Sequence, residues 1–301
     1  MEEKFKSGFI SLVGRTNVGK STLLNALTGE RVAIATSKPQ TTRTAIKAII
    51  NGDNYQMVIT DTPGIHKPKT KLSETMVDTA FKMLSEVDCI MFLIEATSTE
   101  IGRGDSRILE KIKESKKPCI LVINKIDLVK KENLLKLMEM YSKEYNFSAV
   151  VPISAEKHQG IDMLIEEILK LLPEGPKYYA DDEYTDQTAR QMAEEIIREK
   201  ALKLLNDEVP HGIYVEVEKF AYRKTSKQED IYDIDATIYC LRESHKGIII
   251  GKGGNLLKRI ATYARQDIED MLGTKVNLKV WVKVKPDWQE NDSIVNKFKL
   301  K

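Results

Sequence analysis

Residues 14–22 read GRTNVGKST and match the spacing G-x-x-x-x-G-K-[ST]. The stretch lies between an apolar run, FISLV, and a helix-like run, STLLNALTG, and this context restricts the fold more than any other part of the chain. Glycines let the backbone curl so that successive N–H groups converge on an anion, and the helix that follows adds its N-terminal dipole. Such a loop needs a strand behind it and a helix ahead of it. Lys20 is placed to reach the β- and γ-phosphates of a nucleotide, and Ser21 to offer a hydroxyl to Mg²⁺. Gly14, Arg15, Thr16, Asn17, Val18, Gly19 and Thr22 complete the expected nucleotide-binding loop.

The surrounding pattern agrees with an α/β fold. FISLV, AIKAII, YQMVIT, CIMFLI, CILVIN and AVVPIS alternate with helical segments, and several are apolar on both faces, as strands of a mostly parallel sheet covered by helices must be. NGDN at 51–54 signals a hairpin, so one edge strand is expected to run antiparallel. The helix IDMLIEEILKLL stops at Pro173, and the aperiodic, Pro- and Gly-containing stretch after it reads as a linker, which gives domains 1–173 and 184–301 joined by 174–183. A long amphipathic helix from about Asp186 to Asn206 opens the second part. IYVEVEKFAY and IYDIDATIYCL follow as strands, then a glycine turn between helical segments, then VNLKVWVKVK, with valines and Leu278 on one face and lysines on the other.

Composition narrows the classes. At 301 residues the chain is long enough for two cores. Forty-seven basic against forty-five acidic residues give no global reason for a polyanionic partner, so any such site must come from local clustering. Cys89, Cys119 and Cys240 are too scattered for a disulfide framework or zinc site, which suits a reducing cytoplasm. The apolar run CIMFLIEA is too short to span a bilayer, while the basic tail KFKLK would give weak peripheral attraction to anionic lipid at the inner face of a cell membrane.

Three further motifs decide the nucleotide. DTPG at 61–64 follows a strand: Asp61 can hold Mg²⁺, the Gly64 N–H can sense the γ-phosphate, and Thr62, Pro63 and Ile65 lie beside them. NKID at 124–127 places Asp127 to grip two adjacent N–H donors of guanine, which adenine lacks, with Asn124 bracing the loops and Lys125 between. Ser154 and Ala155, after AVVPI, bring a backbone N–H toward the guanine oxygen. Where Ras-like enzymes carry a water-orienting glutamine, this chain has Ile65, so unaided GTP hydrolysis is expected to be slow.

These residues resemble the translation-factor-related class of GTPases, and PQTTR at 39–43 is similar to its first switch, which favours Thr42 over Thr41 as the threonine that closes onto Mg²⁺. Related GTPases with an apolar residue at the glutamine position use an asparagine at the place of Asn17 to help hold a potassium ion, making K⁺ a candidate second cation. The expected catalytic set is therefore Lys20, Thr42, Gly64 and Asn17, and the Mg²⁺ set Ser21, Thr42 and Asp61.

The second glycine turn, GKGG at 251–254, has no Ser or Thr after its lysine; G-x-x-G between two helical segments is the clamp of the KH fold, which holds a nucleic-acid backbone. With GRTNVGKST, PQTTR, DTPGIHKP, NKID, ISA and HKGIIIGKGG in order, the whole chain resembles the Era family, bacterial GTPases with a C-terminal type II KH domain. The resemblance implies a P-loop GTPase domain followed by an α+β KH domain, a role in 30S ribosomal subunit assembly, and a grip on the 3′ end of 16S rRNA that depends on GTP or GDP. The residues expected at RNA are Ile248, Ile249, Ile250, Gly251, Lys252, Gly253, Gly254, Lys258 and Arg259, though an isoleucine run also suits the domain's own core. Two other readings fit parts of the chain: a signalling switch whose second domain binds proteins, and an ATPase with a coincidental NKID.

Overall fold

The computed structural model describes residues 4–36, 38, 41–65, 68 and 70–298. They fall into two compact units, one holding the described residues up to Ala35, those of 39–186 and those from Val295 on, the other Thr36–Lys38 and Gln187–Ile294.

The first unit is built on a six-stranded sheet in the order β2-β3-β1-β4-β5-β6: β1 Lys6–Gly14, β2 Ile46–Gly52, β3 Tyr55–Asp61, β4 Cys89–Glu95, β5 Cys119–Asn124 and β6 Ala149–Pro152. Every pairing is parallel except β2 with β3, which NGDN turns back so that Gly52 faces Tyr55. Alternate residues feed two cores. Cys89, Met91 and Leu93 pack with Leu23, Leu24, Leu164 and Ile168 on one side, whereas Ile90, Phe92 and Ile94 pack with Ile108, Ile112 and Leu137 on the other. Four helices supply those partners, α1 Lys20–Thr28, α3 Arg103–Ser115, α4 Lys131–Glu144 and α5 Ile161–Leu171, and α2 Lys71–Met83 adds Ala80 to the second core. Because parallel strands end together, the loops after β1, β3, β5 and β6 gather at one edge of the sheet.

The segment after α5 lies along this unit. Gln56 accepts from the backbone N–H of Tyr178 and Tyr179 and donates to the Tyr179 carbonyl, the Tyr178 ring sits 4.9 Å from Phe9, and Ile49 N–H donates to the Tyr184 carbonyl. Aperiodic sequence here takes its hydrogen bonds from another element.

The second unit begins at α6, Ala189–Leu204, whose Thr188 and Gln191 form a capping box. Its sheet has the order β7-β8-β9, with β7 Tyr214–Lys224, β8 Asp230–Cys240 and β9 Lys275–Val284. The β7–β8 hairpin is antiparallel; β8 and β9 are parallel, which requires the crossover supplied by α7 Glu243–Ile250 and α8 Asn255–Leu272. Ile234, Ala236, Ile238 and Cys240 of β8 are buried, as are Ala193 and Ile197 of α6 and Ile260, Ala264 and Ile268 of α8. Lysines alternate with half-buried apolar residues along β9, and Trp281 stands 43% exposed on the lysine face. Among the described residues no helix is long and apolar enough to cross a membrane.

Candidate nucleotide site and nucleic-acid loop

The first glycine loop is enclosed by its own protein. Asn17 and Gly19 have φ of 66° and 100°, the left-handed region. A Cβ on Gly19 would lie 2.3 Å from Asn124 Nδ2, and one on Gly14 2.4 Å from the Leu93 carbonyl oxygen, so these positions exclude any side chain. Val18 is buried in the core and its carbonyl accepts from Asn124 Nδ2 at 3.0 Å. Lys20, the first residue of α1, is buried; its Nζ donates to the carbonyls of Gly14 at 3.2 Å and Arg15 at 2.9 Å. Burial pulls the ammonium below its ordinary pKa, opposed by the charge of Asp61. Thr22 lies on α1 one residue past Ser21.

Three oxygen-bearing side chains meet beside this lysine. Ser21 Oγ donates to Asp61 Oδ2 at 2.9 Å, Thr42 Oγ1 donates to the same oxygen at 3.2 Å, and the two hydroxyls are 3.0 Å apart. Of the threonine pair it is Thr42 that reaches Asp61. The other carboxylate oxygen, Asp61 Oδ1, is buried without a hydrogen-bond partner among the described residues, and burial raises the pKa of this group against the pull of Lys20, Ser21 and Thr42. A buried carboxylate with a spare oxygen and two flanking hydroxyls is the donor set a hard divalent cation takes, so these residues fit Mg²⁺. Pro39 and Gln40 of the first-switch stretch lie outside the described residues, as do His66, Lys67 and Lys69.

Beyond Asp61, Thr62 donates its hydroxyl to the Leu12 carbonyl at 2.9 Å and Pro63 is buried. Gly64 is pressed on the loop: a Cβ there would meet Thr16 Cγ2 at 2.7 Å and Thr16 Cα at 3.0 Å. Ile65 is bridged to Arg15 through the backbone, and its side chain is in the core shared by α2 and α3. It offers no polar group to a nucleotide.

On the base side, Asn124 joins three loops, since its Oδ1 also accepts from Ala155 N–H at 3.0 Å. Lys125 adopts φ 64° and donates to the Asn17 carbonyl at 2.9 Å and to Glu95 Oε2 at 2.7 Å. Asp127 sits exposed in the short turn Ile126–Leu128, and Ser154 is buried, its Oγ accepting from Lys157 N–H. Glu95 was not among the residues singled out from sequence. It ends β4 directly opposite Asn124 in the ladder, but a lone acid after an apolar strand carries no pattern.

The second loop is open. Gly251, Gly253 and Gly254 all have positive φ, at 72°, 60° and 77°. A Cβ on Gly251 would strike Leu256 Cβ at 2.7 Å, yet one on Gly253 or Gly254 would have nothing within 4 Å among the described residues. Lys252, Lys258 and Arg259 are exposed around it. The isoleucine run divides by helical period: Ile248 is 50% exposed, Ile250 partly so, and Ile249 is fully buried. This corrects the expectation for Ile249, whose side chain belongs to the core face of α7 and cannot form part of an RNA floor.

Residues 9–125 match the family described as 50S ribosome-binding GTPase, and residues 208–289 match the family described as KH domain. The chain is 53% identical to GTPase Era of Clostridium novyi (strain NT) over 99% of both, and 52% identical to GTPase Era of Thermoanaerobacter pseudethanolicus over 97% of this chain and 96% of the relative. Among solved structures it is similar to Era in complex with MgGDPNP and nucleotides 1506–1542 of 16S ribosomal RNA, with TM-score 0.93 and 41% identity across 98% of both chains. It is equally similar, at TM-score 0.93 and 41% identity, to an Aquifex aeolicus Era variant bound to GDP and tetrafluoroaluminate, across 98% of this chain and 99% of that one.

Proposed function

The chain belongs to the GTPase Era family, and from that premise we propose that it is a GTP-hydrolysing switch whose KH domain takes the 3′ end of 16S rRNA during assembly of the 30S subunit. The observation that carries the switch is the convergence of Ser21, Thr42 and Asp61 within 3.2 Å, with Asp61 Oδ1 left over. Thr42 comes from the first-switch stretch, Asp61 from the end of a core strand and Ser21 from α1, so a cation held by all three ties that stretch to the phosphate loop and the sheet. Ser21, Thr42 and Asp61 would hold Mg²⁺, which would supply neutralisation of phosphate charge there.

The chain's own residues do the rest. Lys20, desolvated on the loop carbonyls, presents a poorly screened ammonium to phosphate oxygens, and the backbone of residues 14–22 supplies N–H donors. Gly64, packed on Thr16, registers the γ-phosphate. Asp127 reads the guanine edge, while Asn124, Lys125, Ser154 and Ala155 hold that pocket to the phosphate loop. With Ile65 in the core, hydrolysis depends on charge stabilisation, for which Asn17 beside the phosphates and a K⁺ ion are the candidates.

Gly253 and Gly254 leave room for a nucleic-acid backbone, Lys252, Lys258 and Arg259 surround it with charge, and Ile248 with Ile250 offers the apolar surface. The relative solved with 16S nucleotides supports the same ligand here. We place the protein in the cytoplasm; the tail that would give weak peripheral membrane attraction ends outside the described residues. Titration of a 16S 3′-end oligonucleotide against protein loaded with GDPNP or GDP tests the switch. Tighter binding with GDPNP is expected, and equal affinities overturn it.

A further inference from the structure

Arg15 follows the first glycine of the phosphate loop, but its side chain leaves the loop. Its backbone carbonyl accepts from Lys20 Nζ, while its guanidinium turns to the start of α3, with Nε 3.1 Å from Asp105 Oδ1 and Nη2 3.3 Å from Ser98 Oγ. The path is shaped for it: a Cβ on Gly104 would lie 2.8 Å from Arg15 Cδ, and one on Gly102 3.6 Å from Nη1. Asp105 is 0% exposed on the first turn of α3, and among the described residues neither oxygen makes a hydrogen bond of good geometry. Burial drives its carboxyl pKa up, the Arg15 guanidinium opposes this, and the buried Tyr141 hydroxyl lies beside it. A buried carboxylate is retained only where its counter-charge is fixed. The same Arg15 is bridged through its backbone to Ile65, and Ile65 N–H donates to the Gly14 carbonyl at 3.2 Å.

We infer that Asp105 is a positioning residue for nucleotide binding: through Arg15 it anchors the Gly14–Arg15 turn to α3 and so fixes the two carbonyls that hold Lys20. Arg15 is then a strut, whereas an arginine acting on the transition state in cis would have to point at phosphate. The inference rests on the phosphate-loop reading, so wild-type protein and Lys20→Ala serve as controls that would expose failure of that reading separately.

The test is calorimetric titration with GDP, with hydrolysis kinetics and thermal unfolding, on Asp105→Asn, Arg15→Ala and the double variant. Each single change should weaken GDP about tenfold and raise KM more than it lowers kcat. The double variant should be no worse than the weaker single, because one strut has one function. Asp105→Asn should not lower Tm, since it removes the buried charge, whereas Arg15→Ala strands that charge and should lower it. Unchanged GDP affinity in Asp105→Asn, or additive losses, overturn the proposal. So does a loss confined to kcat in Arg15→Ala that persists in the double variant, which would give Arg15 to the transition state. If Asp105→Asn does not fold, Arg15→Met with Asp105→Leu replaces the pair by apolar bulk; weakened GDP binding there supports the strut and wild-type affinity overturns it.

Discussion

The two glycine-lysine turns of this chain share a backbone conformation and differ in what surrounds it. Gly19 and Gly253 both sit at positive φ, but Gly19 is wedged against Asn124 of the same unit whereas Gly253 faces open space. In the first turn the glycine serves the protein, allowing β1, β4 and the NKID loop to close on one another before any ligand is considered. In the second the glycine leaves open space. An enclosed turn is preorganised and suits tight recognition of one small ligand; an open one suits a flexible strand whose affinity comes from charge and several weak contacts.

Alanine at the two positions tests this contrast most strongly. Gly19→Ala forces a Cβ into Asn124 at a φ of 100°, so nucleotide affinity should fall by about a thousandfold or become unmeasurable, by analogy with the loss of several charge-assisted contacts at once. Gly253→Ala meets no atom and should cost only about 1–2 kcal/mol of left-handed strain, with GDP affinity untouched. Comparable losses of GDP binding in the two variants would break the comparison.

Next in size is the open turn's own ligand. Lys252→Asp with Gly253→Asp should weaken a 16S 3′-end oligonucleotide by about thirtyfold and flatten its salt dependence, since phosphate contacts release counterions. Nucleotide affinity should not change. RNA affinity retained in this variant would favour a second domain that binds protein. A smaller effect concerns the enclosed turn: hydrolysis in KCl should exceed that in NaCl at equal ionic strength by about tenfold if a potassium ion completes the charge stabilisation that Ile65 cannot give. Equal rates would remove K⁺ from the account.

Much of the enclosed turn could be read from sequence because its chemistry is carried by residues at fixed spacing after strands, and strands buried on both faces announce themselves as unbroken apolar runs. The parts that could not be read are contacts between distant residues. Asp105 lies on a helix with no motif, and only folding brings it to Arg15; Glu95 likewise reaches Lys125 from the end of another strand. At the open turn the glycine spacing was visible, but the inward rotation of Ile249 follows from helical phase, which a run of three identical residues conceals. The stretch 174–183 reads as a linker because hydrogen bonds from it and from Tyr184 just beyond go to Gln56 and Ile49, and give no period of their own.

The comparison sharpens once more at the buried charges. In the first unit Lys20 and Asp61 are buried at the candidate site and Asp105 is buried on α3 against Arg15. In the second unit Glu194 is half-buried on α6 and accepts from Val217 N–H at 2.8 Å, where the β7–β8 ladder is interrupted between Val217 and Lys219. Burial pushes its pKa up to about 7; the Val217 hydrogen bond opposes this, Glu195 and Glu216 add to it and Arg190 subtracts. A carboxyl that holds its proton more tightly when folded contributes stability that is fully present below its ordinary pKa near 4.5 and is lost as pH rises through 7. Glu194→Gln keeps the acceptor for Val217 without the charge. Its advantage over wild type should therefore grow between pH 5 and pH 8, reaching about 1 kcal/mol after allowance for the retained hydrogen bond and partial solvation, well inside the ~3 kcal/mol that the full shift would allow. Urea unfolding followed by tryptophan fluorescence isolates this unit, because both tryptophans, Trp281 and Trp288, lie within Gln187–Ile294. A pH-independent difference would mean that Glu194 stays ionised throughout.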